Sequence, residues 1–393
     1  MRIVLVTPFN PKELIDYLDD ANNIREIKVS ISSVHAFAKG LIKMGHTVSI
    51  ITACVGSTNC ILTYHGMRVH VYVVQRTHSI FGVTFISGLR KIIKEHLAEF
   101  DVIHAQWTYA FAYSIIPFTK ELPAFCSVRD WCPYLMTFKK TWRERLKMIV
   151  MNYFFKRVMS EKKIIKISNS SYTSKRICNY LGIEKVPLIP NPIKSELILE
   201  NKKNYPKETT FISIAQSLKD PRKNIVTLLK AFEKYLNDDP YSRLILIGAG
   251  SEKDFYPFDI NRNVFKNVTF LGVLSHTYVV QYMDQASILV HPAFEETFGN
   301  VLLEATARCI PSIGGYDSGA VPQVLDYGRA GCLCDVHDVN SLYQTMKMIV
   351  HNVEYRKFII ANAKEKLNKY YTDEEVCKKH VQLYLSYMSS NQS

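Results

Sequence analysis

The sequence predicts two doubly wound α/β domains that face each other across a central cleft. Short runs rich in β-branched residues alternate with segments of helical period, which is the pattern of parallel sheets with crossover helices. This pattern runs through the first half of the chain and starts again at Thr210. The 393 residues, 47% hydrophobic and 22% charged, suffice for two folded cores and exclude a disordered or collagen-like protein.

The first domain is placed over residues 1–194. It is expected to begin with a strand over Ile3–Thr7 and an amphipathic helix over Ser33–Lys43. Five further β-rich runs extend its sheet: Thr47–Thr52, Arg68–Val74, Val102–Ala105, Ala124–Val128 and Ile164–Ser168. A polar, charged stretch over 195–207, which contains Pro206, is predicted to be the linker.

The second domain is placed over residues 208–372. A strand over Thr210–Ala215 and a helix over Asn224–Asn237 are expected to open it. The later strands are predicted at Arg243–Ile247, Val268–Phe270, Ile288–Val290 and Ser312–Gly314. Ligands of such sheets bind near the carboxyl ends of the strands, so the loops that follow these strands are the first place to look for chemistry.

The net charge of +13 is concentrated in the first half of the chain. Residues 1–200 hold 27 of the 49 Lys and Arg but only 15 of the 36 Asp and Glu. Residues 138–166 contain ten basic residues but only two glutamates, and aromatic and aliphatic residues are interspersed among them. This pattern predicts a helix at an anionic membrane surface. A core-packed helix with a solvated basic face is the alternative. A nucleic-acid partner is not expected, because no helix-turn-helix, zinc-finger or RNA-binding motif accompanies the charge.

Targeting signals and metal motifs are not evident in the sequence. The apolar run before Pro8 is too short for a signal peptide, and no run of about 18 apolar residues suggests a spanning helix. The nine cysteines lack the spacing of a disulfide scaffold, and Cys332 and Cys334 form the only close pair, without the second pair that a zinc site needs. We expect a cytoplasmic protein, peripheral on the inner face of the cytoplasmic membrane, with no bound metal.

Two glutamates separated by seven residues form the most specific motif. Glu296 lies on the loop after a predicted strand, and Glu304 lies inside the helix that begins near Gly299. The backbone amides around Phe298, Gly299 and Asn300 suit a pyrophosphate, because free N–H groups and the helix dipole both favour anions. A carboxylate that accepts hydrogen bonds from neighbouring hydroxyls holds a sugar or a ribose.

A second motif is the strand-to-helix loop that contains Arg222 and Lys223. Two cations here could neutralise a diphosphate leaving group in place of a metal ion, and the chain has no Asp-x-Asp sequence for metal-assisted transfer. An ordinary charged loop before a helix is the alternative.

With these motifs the chain resembles the family-4 (group 1) retaining glycosyltransferases of the GT-B fold. The resemblance covers nearly the whole chain and is strongest in the second domain. It implies transfer of a sugar from a UDP- or GDP-sugar, with retention and without a metal, the nucleotide sugar being a co-substrate. By this resemblance Arg222 and Lys223 stabilise the diphosphate, Glu296 holds sugar hydroxyls and Glu304 holds the ribose. In this fold the C-terminal segment commonly crosses back to the first domain, which we expect for 373–393.

The first domain departs from the family pattern where the acceptor is expected. Many members carry His-Asp at a position where this chain has Arg129 and Asp130, which replaces an imidazole with a fixed cation beside a carboxylate. His104, after a first-domain strand, is the histidine best placed for an acceptor contact. His104, Arg129 and Asp130 are therefore predicted on the acceptor side. The alternatives are a structural pair formed by Arg129 and Asp130 and a structural role for His104.

The resulting hypothesis is a glycosyltransferase that acts on a glycan or lipid-linked acceptor in surface polysaccharide or O-antigen synthesis. Two alternatives stay open. A GT-B nucleotide-sugar epimerase would use the free donor, and a catalytically inactive module would bind a sugar nucleotide or a membrane without turnover.

Overall fold

The computed structural model describes residues 1–19, 23–27, 31–138, 141–199, 206 and 208–390. Lys139 and Lys140 of the basic segment lie outside these residues, as do 200–205 and 207 of the expected linker and 391–393 at the end. The chain divides into a first unit, Met1–Lys194 with Asp373–Ser393, and a second unit, Ser195–Thr372. Each unit has its own sheet with crossover helices, which confirms the predicted α/β class.

The first unit is built on a seven-stranded sheet. Its strands are β1 (Arg2–Val6), β2 (Thr47–Val55), β3 (Cys60–Gly66), β4 (Val69–Arg76), β5 (Val102–Ala105), β6 (Ala124–Val128) and β7 (Ile164–Ser168). Its helices before the linker are α1 (Ser32–Lys43), α2 (Val83–Glu95), α3 (Ala110–Ile115), α4 (Cys132–Met136), α5 (Trp142–Ser160) and α6 (Ser171–Leu181). The strand order is β3-β4-β2-β1-β5-β6-β7, parallel throughout except for the β3–β4 pair.

Strand β1 shows why the central strands could be predicted from their apolar residues. Ile3 and Leu5 enter one hydrophobic cluster, whereas Val4 and Val6 enter another, and all four side chains are fully buried. Successive side chains of a strand point to opposite faces, so a strand covered by helices on both sides must be apolar at every position.

The edge strand β3 was not predicted. A two-residue turn, Met67-Arg68, joins it to β4 in an antiparallel hairpin. Six of its seven residues keep some exposure, so neither the continuous apolar run of a central strand nor a clean alternation marks it in the sequence.

The second unit is built on a six-stranded parallel sheet. Its strands are β8 (Thr210–Ser217), β9 (Arg243–Ala249), β10 (Val268–Phe270), β11 (Ile288–His291), β12 (Ser312–Gly315) and β13 (Cys332–Cys334). Its helices are α7 (Ile225–Tyr235), α8 (His276–Gln285), α9 (Asn300–Ala307), α10 (Val321–Val324), α11 (Val339–His351) and α12 (Val353–Tyr370). The order β10-β9-β8-β11-β12-β13 places β8 and β11 side by side at the centre.

The last helix, α13 (Asp373–Ser390), belongs to the first unit. Its Val376, Cys377 and Tyr384 are buried in the same cluster as Ile3 and Leu5 of β1. The contact with α1 is close at Gly40, where an added Cβ would lie 2.6 Å from Cys377 Sγ and 3.1 Å from the Asp373 carbonyl oxygen.

We expect Gly40→Ala to destabilise the first unit. Overpacking of a tight contact costs about 1–3 kcal/mol, which exceeds the gain of about 1 kcal/mol from replacing a helical glycine. Thermal unfolding should show a lower midpoint for the variant. The double variant Gly40→Ala/Cys377→Ala removes the sulfur and should recover part of the loss, whereas a higher midpoint for Gly40→Ala alone would contradict the packing argument.

His380 on α13 makes the stability of the first unit pH-dependent. Burial and the charge of Arg129 lower its pKa from 6.5 to about 3, although its hydrogen bond to the Val376 carbonyl opposes the shift. Between pH 6.5 and 3 the unfolded chain therefore binds a proton that the folded chain does not.

The free energy of unfolding should thus fall as the pH drops below 6.5, by up to about 1.4 kcal/mol per pH unit for this group. His380→Gln should flatten that slope in urea unfolding measured from pH 7 to pH 4. His78→Gln, at an exposed position, is the matched control and should leave the slope unchanged. Equal slopes for wild type and His380→Gln would refute the assignment.

None of the described helices combines the length and the hydropathy needed to cross a bilayer.

Candidate active site

The loop between β8 and α7 holds the predicted cations in a tight turn. Asp220 caps the 3-10 turn Pro221–Lys223, and its carboxylate receives two hydrogen bonds from the Arg222 guanidinium, at 2.6 Å from Nη2 and 3.2 Å from Nε. Burial opposes ionisation of Asp220, but the hydrogen bond and charge of Arg222 outweigh it and lower the pKa of the carboxyl. Arg222 is thereby fixed at the carboxyl end of β8.

Asn224 ties this loop to its neighbours. It has a left-handed backbone, with φ of 53°, and its side-chain amide donates to the carbonyls of Pro292 and Val336 at 3.1 and 2.7 Å. The carbonyl of Arg222 accepts from the amide of Phe294 at 2.8 Å. The loops after β8, β11 and β13 are therefore tied together at the carboxyl edge of the sheet.

Glu296 is brought into direct contact with Lys223. Its Oε1 accepts from Lys223 Nζ and lies 3.1 Å from Nε2 of His291, the last residue of β11. Its backbone is also fixed, because its carbonyl accepts from the Ala320 amide at 2.9 Å.

The charge at Glu296 is stabilised by these partners. Burial would raise the pKa of the carboxyl, but the charge of Lys223 and the hydrogen bond from His291 hold it well below the usual range. The side chains of Lys223 and Glu296 keep 18% and 17% of their surface exposed, so the buried pair can still be reached by a ligand.

Glu304 lies inside α9 and is paired with His276. The glutamate is 8% exposed, and its Oε1 lies 2.9 Å from His276 Nε2 at the first position of α8. The carboxylate therefore faces the start of α8 rather than the loop that carries Glu296.

The N-terminus of α9 is a candidate position for an anion. Gly299 precedes it with φ of 91°, and an added Cβ would lie 3.1 Å from Leu302 Cδ1, so only glycine fits without strain. Gly299 has no side chain that could cap the helix, and the first turn of α9 holds no acidic residue. The backbone amides of Asn300 and its neighbours therefore form the positive end of the helix dipole. The Phe298 ring is buried, 5.9 Å from the Tyr371 ring, which leaves its backbone as the part that can contribute.

The predicted acceptor-side residues lie in the first unit, and His104 differs from expectation. It sits inside β5 with no exposed surface, 2.5 Å from the Tyr384 hydroxyl and 2.9 Å from Ser127 Oγ. The prediction that His104 contacts an acceptor is wrong, because α13 covers the imidazole ring. Asp130 and Arg129, at the end of β6, are both partly exposed, and Asp130 accepts from the Trp107 indole at 2.6 Å.

No group of three or more His, Cys, Asp or Glu side chains that could hold a metal ion occurs among the residues the structure describes. Cys332 and Cys334 are buried in β13, where burial raises the pKa of each thiol to about 12.

Two family profiles match the chain in succession. The profile of the glycosyltransferase family 4 matches residues 32–197, and that of the glycosyl transferases group 1 matches residues 195–366. The chain belongs to the group 1 glycosyltransferases. It is an enzyme of that class, and the predicted GT-B fold is confirmed by the solved structures that share it.

This glycosyltransferase is similar in sequence to the alpha-monoglucosyldiacylglycerol synthase of Acholeplasma laidlawii, with 23% identity over 92% of this chain and 94% of that protein. Several other curated relatives are matched over only 40–52% of their own length. Its structure is similar to sucrose-phosphate synthase from Thermosynechococcus elongatus, with a TM-score of 0.73, 16% identity, and coverage of 99% and 100% of the two chains. It also resembles WaaG, a glycosyltransferase involved in lipopolysaccharide biosynthesis, with a TM-score of 0.68, 16% identity, and coverage of 96% and 99%.

Three contributors to the glycosyltransferase site were not predicted as such. His291 and His276 hold the two motif glutamates, and Asn224 joins the loops. His291 opens the motif as the residue that ends a strand, which is a usable signal. The sequence offers no comparable signal for His276, because its partner Glu304 lies 28 residues away on another helix.

Proposed function

We propose that the enzyme transfers a sugar from a nucleotide diphosphate sugar, a UDP- or GDP-sugar, to a glycan or lipid-linked acceptor, with retention at the anomeric carbon and without a metal ion. The observation that carries this proposal is the cluster of Lys223, Glu296 and His291, with Arg222 on the same joined loops. Fixed cations beside a reachable carboxylate match a ligand that has both a diphosphate and sugar hydroxyls.

Each part of the cluster has a role in this proposal. Lys223 and Arg222 stabilise the diphosphate, and the amides of Phe298, Gly299 and Asn300 at the start of α9 add hydrogen bonds to it. Glu296 holds the sugar hydroxyls. Glu304 holds the ribose by exchanging its contact with His276 for one with the hydroxyls.

The reaction breaks the bond between the anomeric carbon and the donor phosphate oxygen and forms a bond from that carbon to the acceptor oxygen. The departing phosphate oxygen takes the acceptor proton on the face from which it leaves, so no protein nucleophile is needed. Negative charge grows on the diphosphate as the bond breaks, and preorganised cations stabilise that state more than the ground state.

A panel of nucleotide sugars, analysed by mass spectrometry with and without a lipid-linked glycan fraction, tests this function. We expect one donor to be consumed and the product linkage, examined by NMR, to keep the donor's anomeric configuration. Conversion of a free donor to its epimer without acceptor would identify the epimerase alternative. Nucleotide binding with no turnover of any donor would identify an inactive module.

Membrane attachment through α5 forms the second part of the proposal. The helix buries Phe154, Phe155 and Val158 in the first unit, whereas a separate stripe stays exposed: Trp142, Leu146, Ile149 and Tyr153, at 69%, 45%, 58% and 52%. The spacing of four, three and four residues places the stripe on one helix face. Five exposed basic residues flank it: Arg143, Arg145, Lys147, Lys156 and Arg157.

An apolar stripe between cations suits the surface of an anionic bilayer. The similar proteins include a diacylglycerol glucosyltransferase and a lipopolysaccharide enzyme by name, which supports a lipid-linked acceptor at the inner face of the cytoplasmic membrane. Synthesis of surface polysaccharide or O-antigen is the setting that we propose.

Vesicle co-sedimentation tests the attachment. Leu146→Ser/Ile149→Ser should reduce pelleting with anionic vesicles while keeping every charge. Tyr241→Ser, which removes a 78% exposed aromatic residue of the second unit, is the control. Pelleting that does not depend on anionic lipid at low salt would contradict the proposal.

A further inference from the structure

Three hydrogen bonds to neutral oxygens help to hold Arg129 at the carboxyl edge of the first unit's sheet. Its Nη1 donates to Ser33 Oγ at 2.9 Å and to Asn191 Oδ1 at 2.6 Å, and its Nη2 donates to Gln106 Oε1 at 2.5 Å. Each of these partners is 5% exposed or less. Neutral oxygens fix the position of a guanidinium without adding negative charge, and this cation lies at the edge where ligands of such sheets bind.

The charge persists at neutral pH. Burial lowers the pKa of Arg129 to about 10, and the neighbouring Asp130 opposes this shift. The Asp130 carboxylate also accepts a hydrogen bond from the Trp107 indole, which keeps its own negative charge in place beside Arg129.

The positive end of a helix lies beside the guanidinium. Ser33, which binds Arg129, is in the first turn of the twelve-residue helix α1, whose N-cap residue Ile31 makes no side-chain hydrogen bond. That turn contains no acidic residue. A cation next to a positive helix end is unfavourable by itself and becomes favourable when an anion binds between them.

Asn169 is an independent sign of a ligand at this edge. It follows Ser168 of β7, which pairs with Val128 of β6, so Asn169 and Arg129 are the next residues on adjacent strands. Asn169 is 4% exposed, yet neither its amide nitrogen nor its amide oxygen has a hydrogen-bond partner among the described residues. A buried polar group without a partner is costly, and a bound ligand would supply one.

From these three observations we infer that the first unit contains a binding site for a phosphate-type oxyanion carried by the acceptor. Arg129 supplies the charge, the first turn of α1 supplies backbone N–H groups, and the Asn169 amide donates to a further oxygen. The inference rests on the proposed transferase function, because it assigns a substrate class to the acceptor side of that enzyme. It makes the acceptor a phosphorylated sugar or a lipid phosphate rather than a neutral glycan.

Calorimetric titration of the full-length protein with glycerol 3-phosphate tests the site, with glycerol as the neutral comparison. We expect binding of the phosphate ester only, weakened about tenfold to a hundredfold in Arg129→Gln, since a charge-assisted bidentate contact is lost. Asn169→Asp breaks no hydrogen bond among the described residues, and its carboxylate should weaken binding as well. Thermal unfolding checks that this variant is folded. Arg68→Gln, an exposed arginine between β3 and β4, is the matched control.

Lys223→Gln separates this site from the donor diphosphate site, because it should retain glycerol 3-phosphate binding while lowering kcat for sugar transfer. Failure of every nucleotide sugar to react would end the proposed function but leave this titration interpretable. Vesicles of phosphatidic acid in phosphatidylcholine distinguish the two kinds of acceptor. If Arg129→Gln binds these vesicles more weakly than wild type, the phosphate belongs to a lipid. If both bind the vesicles equally, it belongs to a phosphorylated sugar. Equal glycerol 3-phosphate affinity in wild type, Arg129→Gln and Asn169→Asp, or no binding by wild type, would overturn the inference.

Discussion

Lys223→Met is expected to lower kcat about a hundredfold to a thousandfold, with a smaller change in KM for the donor. The ammonium contacts Glu296 and lies on the loop fixed by Asn224, so its charge is preorganised for a diphosphate that becomes more negative as the sugar leaves. Its loss removes stabilisation that is greatest in the transition state. Steady-state kinetics with the donor found in the panel provide the measurement.

The matched control is Lys219→Met, on the same loop, because the Lys219 side chain is 57% exposed and its ammonium lies 3.9 Å from Asp254 Oδ1. It should keep near wild-type kcat. His291 still contacts Glu296 in Lys223→Met, so circular dichroism and thermal unfolding should show a folded protein. A Lys223→Met enzyme within threefold of wild-type kcat would remove this lysine from the chemistry.

Glu304→Ala is expected to weaken nucleoside diphosphate binding about tenfold to a hundredfold while leaving inorganic pyrophosphate binding unchanged. A carboxylate that accepts from two ribose hydroxyls contributes charge-assisted hydrogen bonds to the nucleoside and none to the diphosphate. Titration calorimetry with UDP, GDP and pyrophosphate compares the two parts of the ligand directly.

Two variants separate a ribose contact from a structural one. Glu354→Ala, with a side chain 82% exposed on α12, controls for the loss of a helical carboxylate. His276→Ala removes the contact at 2.9 Å but keeps the carboxylate. If His276→Ala reproduced the whole loss seen in Glu304→Ala, the glutamate would serve to orient α8 rather than to bind ribose.

The fold was predictable where the burial of an element requires a recognisable pattern of apolar residues. Strands β1, β5, β6 and β7 are mostly apolar because helices cover both faces of the sheet, and their predicted bounds differ from the structure by at most one residue. The edge strands β3 and β13 were missed. Strand β3 is half-exposed, and β13 has the sequence Cys-Leu-Cys, without a β-branched or aromatic residue.

The candidate site was predictable as a set of residues but not as a set of contacts. Glu296 and Lys223 stand out through local motifs, yet their contact joins positions 73 residues apart and depends on β8 and β11 being neighbours. The role expected of His104 was wrong for the same reason. Its burial is decided by Tyr384, which lies 280 residues further along the chain.

The placement of α13 has a consequence for the order in which the polypeptide acquires structure. The first unit is discontinuous: Val376, Cys377 and Tyr384 complete a core whose strand β1 precedes the whole second unit in the chain. The second unit is continuous from Ser195 to Thr372 and needs nothing that emerges later from the ribosome. The half of the chain that is synthesised first is therefore the last to close its core, and until α13 docks, nascent chains expose the apolar surface that chaperones recognise.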